Sequence, residues 1–249
     1  MQWRKIDLAC AFADAANYAE AKHILLSVLE TAAGREGSLF LACQVDLVRA
    51  MVKLGELTEA TRKLEHMKLR LERAPFLCAD GAFGEVVLNH VNELLGEVYV
   101  RTGELDNAAA VLSEALIKES IVGGRDPFRL VALMRVCARY HRACGHASMV
   151  CLVLRVVTGI LDDEERDPCL RASAHIDLAF AEVAVGEKAA AASRLGSALR
   201  CLRKRKRLAH TTEDINAASK RMAKMIVPRR RLRGRRHPED VEPRPTLSA

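Results

Sequence analysis

The sequence is poor in aromatic residues, which make up 4% of its 249 residues, and it contains only seven prolines. Sheet proteins of this size usually carry more aromatic and β-branched residues, so the composition argues against a β fold. No uncharged apolar run approaches the roughly 20 residues that a membrane-spanning helix needs. The N-terminal segment MQWRKIDLAC lacks the pattern of a secretory signal. We therefore expect a soluble, intracellular all-α protein.

Recognisable catalytic patterns are also missing. The sequence contains no GxSxG, HExxH or phosphate-loop motif, and the pair Gly123 and Gly124 lacks the lysine and hydroxyl residue of a phosphate-binding loop. The eight cysteines are scattered through helical segments, which fits a reducing compartment better than a disulfide framework. The sequence thus predicts a protein that is not an enzyme and needs no cofactor.

One cluster of potential metal ligands occurs in the segment CARYHRACGH. Cys137 and His141 lie four residues apart, on one face of a helix, and Cys144 and His146 follow across a turn. Cysteine and histidine can hold zinc. The same spacing is typical of positions that pack one helix on another, and buried cysteine commonly acts as a small hydrophobic residue. We favour the packing interpretation and expect no metal site.

Five segments of the chain repeat one pattern: an apolar helix, a small residue at a tight turn, and a second helix with a small residue and then a large one. The turn residues are Ala16, Gly55, Gly103, Gly145 and Gly186. The small or short apolar residues of the second helix are Ala21, Ala60, Ala108, Val150 and Ala191. The large residues are Leu25, Leu64, Leu112, Leu154 and Leu195. Glycine permits the turn, alanine permits close approach of two helices, and leucine fills the remaining space.

This pattern resembles the tetratricopeptide repeat, most clearly in the third segment. The matching residues there are Leu95, Gly96, Tyr99, Gly103, Leu105, Ala108, Leu112 and Ala115. The turns are spaced by roughly 40 to 50 residues, against a usual period of about 34 in this family. The resemblance covers residues 2–206. It implies a right-handed α-solenoid of about five helix pairs that binds other proteins.

The repeats divide the chain into three regions. Residues 1–210 form the predicted repeat domain. Within residues 211–227, Thr211 and Asp214 have the spacing of a capping box and precede an apolar stripe, which predicts a helix that covers the end of the stack. Residues 228–249 are rich in arginine and proline, and we expect them to be disordered.

The first helix of each pair is expected to line the inner surface of the solenoid, where its charged residues are candidates for partner binding. These candidates are Arg49, Glu93, Glu97, Arg135, Arg139 and Arg142. Guanidinium groups suit carboxylates and phosphates, so we expect a protein or peptide partner that is acidic or of mixed charge. The alternative is that these charges pair with one another or only solvate the helices.

Positive charge is concentrated near the C-terminus. The formal net charge of the whole chain is +7, yet residues 200–237 hold fifteen Lys or Arg against two acidic residues. The basic clusters consist of Arg203, Lys204, Arg205, Lys206, Arg207, Arg229, Arg230, Arg231, Arg233, Arg235 and Arg236. Such runs are typical of nuclear import signals and of nucleic-acid contacts. Because no aromatic residues are interleaved for base stacking, we favour import into the nucleus. The alternatives are nucleic-acid or chromatin association and a solvated tail with no specific role.

Overall fold

The computed structural model describes residues 2–32, 37–73, 81–122, 127–164 and 167–203, and these residues form ten α-helices and no strand. The helices are α1 Gln2–Asp14, α2 Tyr18–Thr31, α3 Ser38–Leu54, α4 Leu57–Arg73, α5 Gly81–Thr102, α6 Leu105–Val122, α7 Pro127–Ala143, α8 Ala147–Asp163, α9 Pro168–Ala184 and α10 Lys188–Arg203. None of them is both long and apolar enough to cross a membrane. The predicted capping helix at 211–227 and the predicted disordered tail at 228–249 lie outside the described residues.

The ten helices stack as five successive pairs. Each odd-numbered helix packs on the even-numbered helix that follows it, and each even-numbered helix packs on the next odd-numbered one. Among the odd-numbered helices, α5 also packs on α3 and on α7, whereas no two even-numbered helices of the described part pack to a similar extent. In a curved stack the inner helices lie closer together than the outer ones. The odd-numbered helices therefore line the inner surface, and the predicted α-solenoid of five helix pairs is confirmed.

All five predicted turn residues adopt the left-handed backbone conformation. The four glycines have φ between 76° and 88°, and Ala16 has φ 59°. The residue after each turn donates its backbone N–H to the carbonyl five positions earlier, at 2.8 to 3.0 Å, which satisfies the end of the first helix. Glycine adopts this conformation without strain, but the Cβ of Ala16 makes it costly by roughly 1 kcal/mol.

The two predicted packing columns are also buried. All five small residues of the second helices and all five leucines that follow them lie in the core. Gly96 shows how closely the helices approach, since a Cβ built at this position would lie 2.5 Å from Cδ2 of Leu112. The absence of a side chain at Gly96 therefore lets α5 and α6 pack closely. The 22-residue length of α5 accounts for the longest of the repeat spacings.

Candidate partner-binding surface

Glu97 lies at the centre of the inner surface and is only 5% exposed. Its carboxylate contacts Lys53 at 3.2 Å, Arg101 at 2.6 Å and Arg139 at 3.5 Å. Burial acts to raise the pKa of Glu97, but the three cations outweigh it and hold that pKa below its ordinary value. Because the cations belong to α3, α5 and α7, this ion-pair cluster joins three successive inner helices.

Glu93 lies one helical turn before Glu97 and has a different environment. It is half-buried, and no cation among the described residues forms a salt bridge with it. Burial raises the pKa of Glu93, and the neighbouring charge of Glu97 adds to this effect, while Arg49 and Arg139 oppose it. Glu93 is thus a carboxylate on the inner surface that can accept hydrogen bonds from a ligand.

Most of the arginines predicted to bind a partner already have intramolecular partners. Arg139 contacts Glu97, and burial lowers the pKa of Arg139. Arg135 donates through Nη2 to Oδ2 of Asp177 at 3.1 Å, which links α7 to α9. Arg49 contacts Asp46 at 3.1 Å on its own helix. These three arginines therefore make contacts within the protein. The contacts of Arg135 and Arg139 join neighbouring inner helices, and the contact of Arg49 lies within α3.

Arg142 differs from these three arginines. It is exposed at the end of α7, and it forms no ion pair with any residue of the described part. It borders a cleft of about 380 Å³ between the α7–α8 turn and α9. This cleft, called the Arg142 cleft below, is mostly apolar, and its lining includes Val150, Asp177, Phe180, Ala181 and Ala184. An unpaired guanidinium thus stands beside an apolar recess.

The position of the cleft follows from two columns of the repeat. Six residues before the turn, repeats 2 to 4 carry the charged residues Arg49, Glu97 and Arg139, but repeat 5 carries Phe180. Two residues before the turn, repeats 2 and 3 carry cations, but repeats 4 and 5 carry Ala143 and Ala184. The ion-pair cluster therefore gives way to an apolar surface between α7 and α9. Aligning inner-helix positions on the turn residue would have identified Phe180 from the sequence.

A second cleft lies in the equivalent place at the start of the stack, between the α1–α2 turn and α3. Its volume is about 250 Å³, and charged side chains from both sides border it, among them Asp14, Asp46, Arg49 and Lys53. Cys10 also lines this cleft, and burial raises its pKa, with Asp46 and Asp14 adding to the effect. The two clefts thus differ in chemistry, since this one is charged and the Arg142 cleft is mostly apolar.

Comparison with known proteins identifies the fold. No protein-family model matches the chain, and no curated relative matches it either. A thermophilic TPR protein of Thermus thermophilus matches with a TM-score of 0.59 and 17% identity, over 88% of this chain and 98% of that one. BtubC of P. vanneervenii matches with a TM-score of 0.54 and 15% identity, over 97% and 82%. The chain has the tetratricopeptide-repeat fold.

A third solved structure is consistent with this assignment. The nearly identical TPR-like repeats from Podosopora anserina match with a TM-score of 0.54 and 20% identity, over 82% of this chain and 96% of that one. The resemblance to the tetratricopeptide repeat is therefore confirmed at the level of the fold. The tetratricopeptide-repeat fold hosts many roles, so function has to be argued from the surface of this particular chain.

The cysteine and histidine cluster occupies packing and turn positions of the tetratricopeptide-repeat fold. Cys137 is buried among Leu112, Val136 and their neighbours, and burial raises its pKa to about 11. The rings of His141 and His146 lie with their centroids 5.9 Å apart across the turn. Within the described residues, no group of three or more histidine, cysteine or acidic side chains is arranged to hold a metal ion. The buried position of Cys137 fits the packing interpretation.

The predicted import or nucleic-acid clusters begin at the end of α10, the last helix among the described residues. Arg203 is the final residue of α10. The other ten basic residues of these clusters, within 204–207 and 229–236, lie outside the described residues. Their role stays a prediction from the sequence.

Proposed function

We propose that this chain is a protein-interaction scaffold, and that it binds a peptide segment or a subunit on the inner surface of its repeats. The observation that carries the proposal is the Arg142 cleft, in which a guanidinium with no ion-pair partner among the described residues borders an apolar recess. Binding sites in proteins commonly combine an apolar recess with a few polar groups that fix orientation. A carboxylate of the ligand would pair with Arg142, and an apolar side chain would enter the recess beside Phe180.

The charges along the inner surface support a ligand of mixed charge. Arg142 offers donors to a carboxylate, and Glu93 offers an acceptor to a cationic side chain or to backbone N–H groups of the ligand. Arg135, Arg139 and Glu97 take a different role, because their mutual and neighbouring ion pairs hold the inner helices in place. The proposed ligand therefore carries an acidic residue near an apolar one, with a basic residue farther toward α5.

To test this proposal, a partner is first identified in a pull-down with the full chain. The affinity of the purified partner is then measured for the wild type and for each variant. Arg142→Glu should weaken binding by at least tenfold, because losing a charge contact at an interface costs about 2–5 kcal/mol. Ala184→Trp should weaken binding similarly by filling the recess. Arg200→Glu, on the exposed face of α10, makes the same change in net charge and should stay within about twofold of wild type. Wild-type affinity in both cleft variants would refute this site.

The charge of the basic C-terminal region supports a second candidate function, which is binding to nucleic acid. With fifteen Lys or Arg between residues 200 and 237, it could supply sequence-independent affinity for phosphates. In that case the full chain should bind random duplex DNA at low salt, lose this binding as salt rises, and lose it on deletion of residues 228–237. DNA binding that survives the deletion would exclude this function for the tail.

A further inference from the structure

The outer surface of α8 carries an exposed apolar stripe. Met149, Leu152 and Val156 are 41%, 55% and 43% exposed, and Gly159 continues the same helical face toward the C-terminal end. Parts of the neighbouring outer helices also expose uncharged residues. Ile117 of α6 is exposed there together with Ala110 and Ser113, and α10 exposes Ala189, Ala192 and Ser193. Exposed apolar surface of this kind commonly marks a site of association.

Contacts within the described part of one copy do not explain Gly159. It lies inside α8, where glycine costs about 1 kcal/mol relative to alanine. A Cβ at this position would meet no atom of the described residues within 4 Å, so their packing does not require glycine. Close approach by a helix from another molecule would require it, because a small residue lets two helices pack at short distance.

We propose that the occupant of this surface is a second copy of the chain, packed through α8 in an antiparallel orientation about a twofold axis. In that arrangement, each residue of the stripe on one copy lies opposite a residue of the stripe on the other copy. With the axis at the level of residue 154, Leu152 of each copy faces Val156 of the other, and Met149 of each faces Gly159 of the other. The largest side chain thus meets the smallest, and the contact is the same on both copies, as an isologous interface requires.

The charges at the ends of α8 favour the same orientation. Asp163 is exposed at the C-terminal end and has no ion-pair partner among the described residues. At the other end, His146 stands at the N-cap position, but its side chain makes no capping hydrogen bond to the first N–H groups of α8. Antiparallel packing brings Asp163 of one copy beside this N-terminal end of the other, where a carboxylate is favoured.

The experiment is sedimentation equilibrium of the full chain over a series of concentrations. The wild type should reach a dimer, and either Leu152→Lys or Val156→Glu alone should weaken dimer association by at least tenfold by placing a charge in the apolar contact. The double variant should recover most of that loss, because in the proposed register the two new opposite charges face each other across the axis. Recovery in the double variant is the result that this register predicts.

Leu69→Lys is the matched control, since Leu69 of α4 is 43% exposed on an otherwise charged outer helix. This variant should dimerise as the wild type does. Circular dichroism and thermal melting of every variant show whether it remains folded. A wild type that is monomeric at all concentrations would overturn the proposal. So would a dimer that resists both single substitutions, or a double variant as weak as the single ones.

Discussion

Replacement of Glu97 by glutamine removes the negative charge from the inner ion-pair cluster and changes the side-chain size very little. Lys53, Arg101 and Arg139 would then face one another without a common counterion. Removing one partner of a buried ion pair costs about 3–5 kcal/mol. Here each cation is more than one third exposed, so solvent screens their repulsion and a loss of about 2 kcal/mol is expected.

The expected loss corresponds to a melting temperature lower by about 4–8 °C for a domain of this size. It should be measured by thermal and urea unfolding at pH 7 and at several lower pH values. Because the pKa of Glu97 is lower in the folded than in the unfolded chain, its contribution is fully present above the unfolded pKa. It is lost as the pH falls through the folded pKa. The difference between wild type and Glu97→Gln should therefore shrink toward zero in acid.

Glu93→Gln is the matched control, one helical turn away. The pKa of Glu93 is raised in the folded chain, so ionising this group opposes folding at neutral pH. The substitution should accordingly raise the free energy of unfolding at pH 7, with the gain fading as the pH falls and the wild-type carboxyl takes up a proton. Equal effects of the two variants at pH 7, or a loss in Glu97→Gln that does not depend on pH, would refute the ion-pair account.

Three further predictions concern the turns, the helix contacts and the tail. Ala16→Gly should raise the free energy of unfolding by about 0.5 kcal/mol, since it relieves the left-handed conformation, whereas Ala19→Gly in α2 should lower it. Gly96→Ala should lower it by about 1–3 kcal/mol, because the new methyl group meets Leu112; unchanged melting would contradict this contact. Deletion of residues 204–237 from a fusion to a bulky reporter should shift the protein out of the nucleus, and an unchanged distribution would reject the import hypothesis.

The turns and the buried columns could be predicted from the sequence because they depend on local spacing. Each turn residue is followed by a small residue and a leucine at fixed distances, and the backbone geometry of one turn is the same in every repeat. The positive φ at Ala16 is the informative case, since alanine does not favour that conformation. Its position in the repeat predicted the turn although its residue type did not.

The role of the inner charges could not be predicted in the same way. Arg139 is available to a ligand only if it does not pair with Glu97, and this depends on the distance between α5 and α7. The two residues are far apart in the sequence, so the sequence does not give that distance. The pattern of charges is compatible with both outcomes. Only the distances show that Arg135 and Arg139 are paired, whereas Arg142 has no ion-pair partner among the described residues. The apolar change at Phe180 was visible in the sequence once the inner helices were aligned on their turns.

The measurement that tests the central claim most directly is site-specific photo-crosslinking of the full chain in cells. A photoreactive phenylalanine analogue in place of Phe180 would sit inside the Arg142 cleft, and the same analogue in place of Leu69 would sit on the outer surface. If the cleft holds a protein partner, the analogue at position 180 should give a discrete crosslinked species that Arg142→Glu abolishes, and position 69 should not give that species. The same species from both positions, or none from position 180 while position 69 reacts, would contradict binding in the cleft.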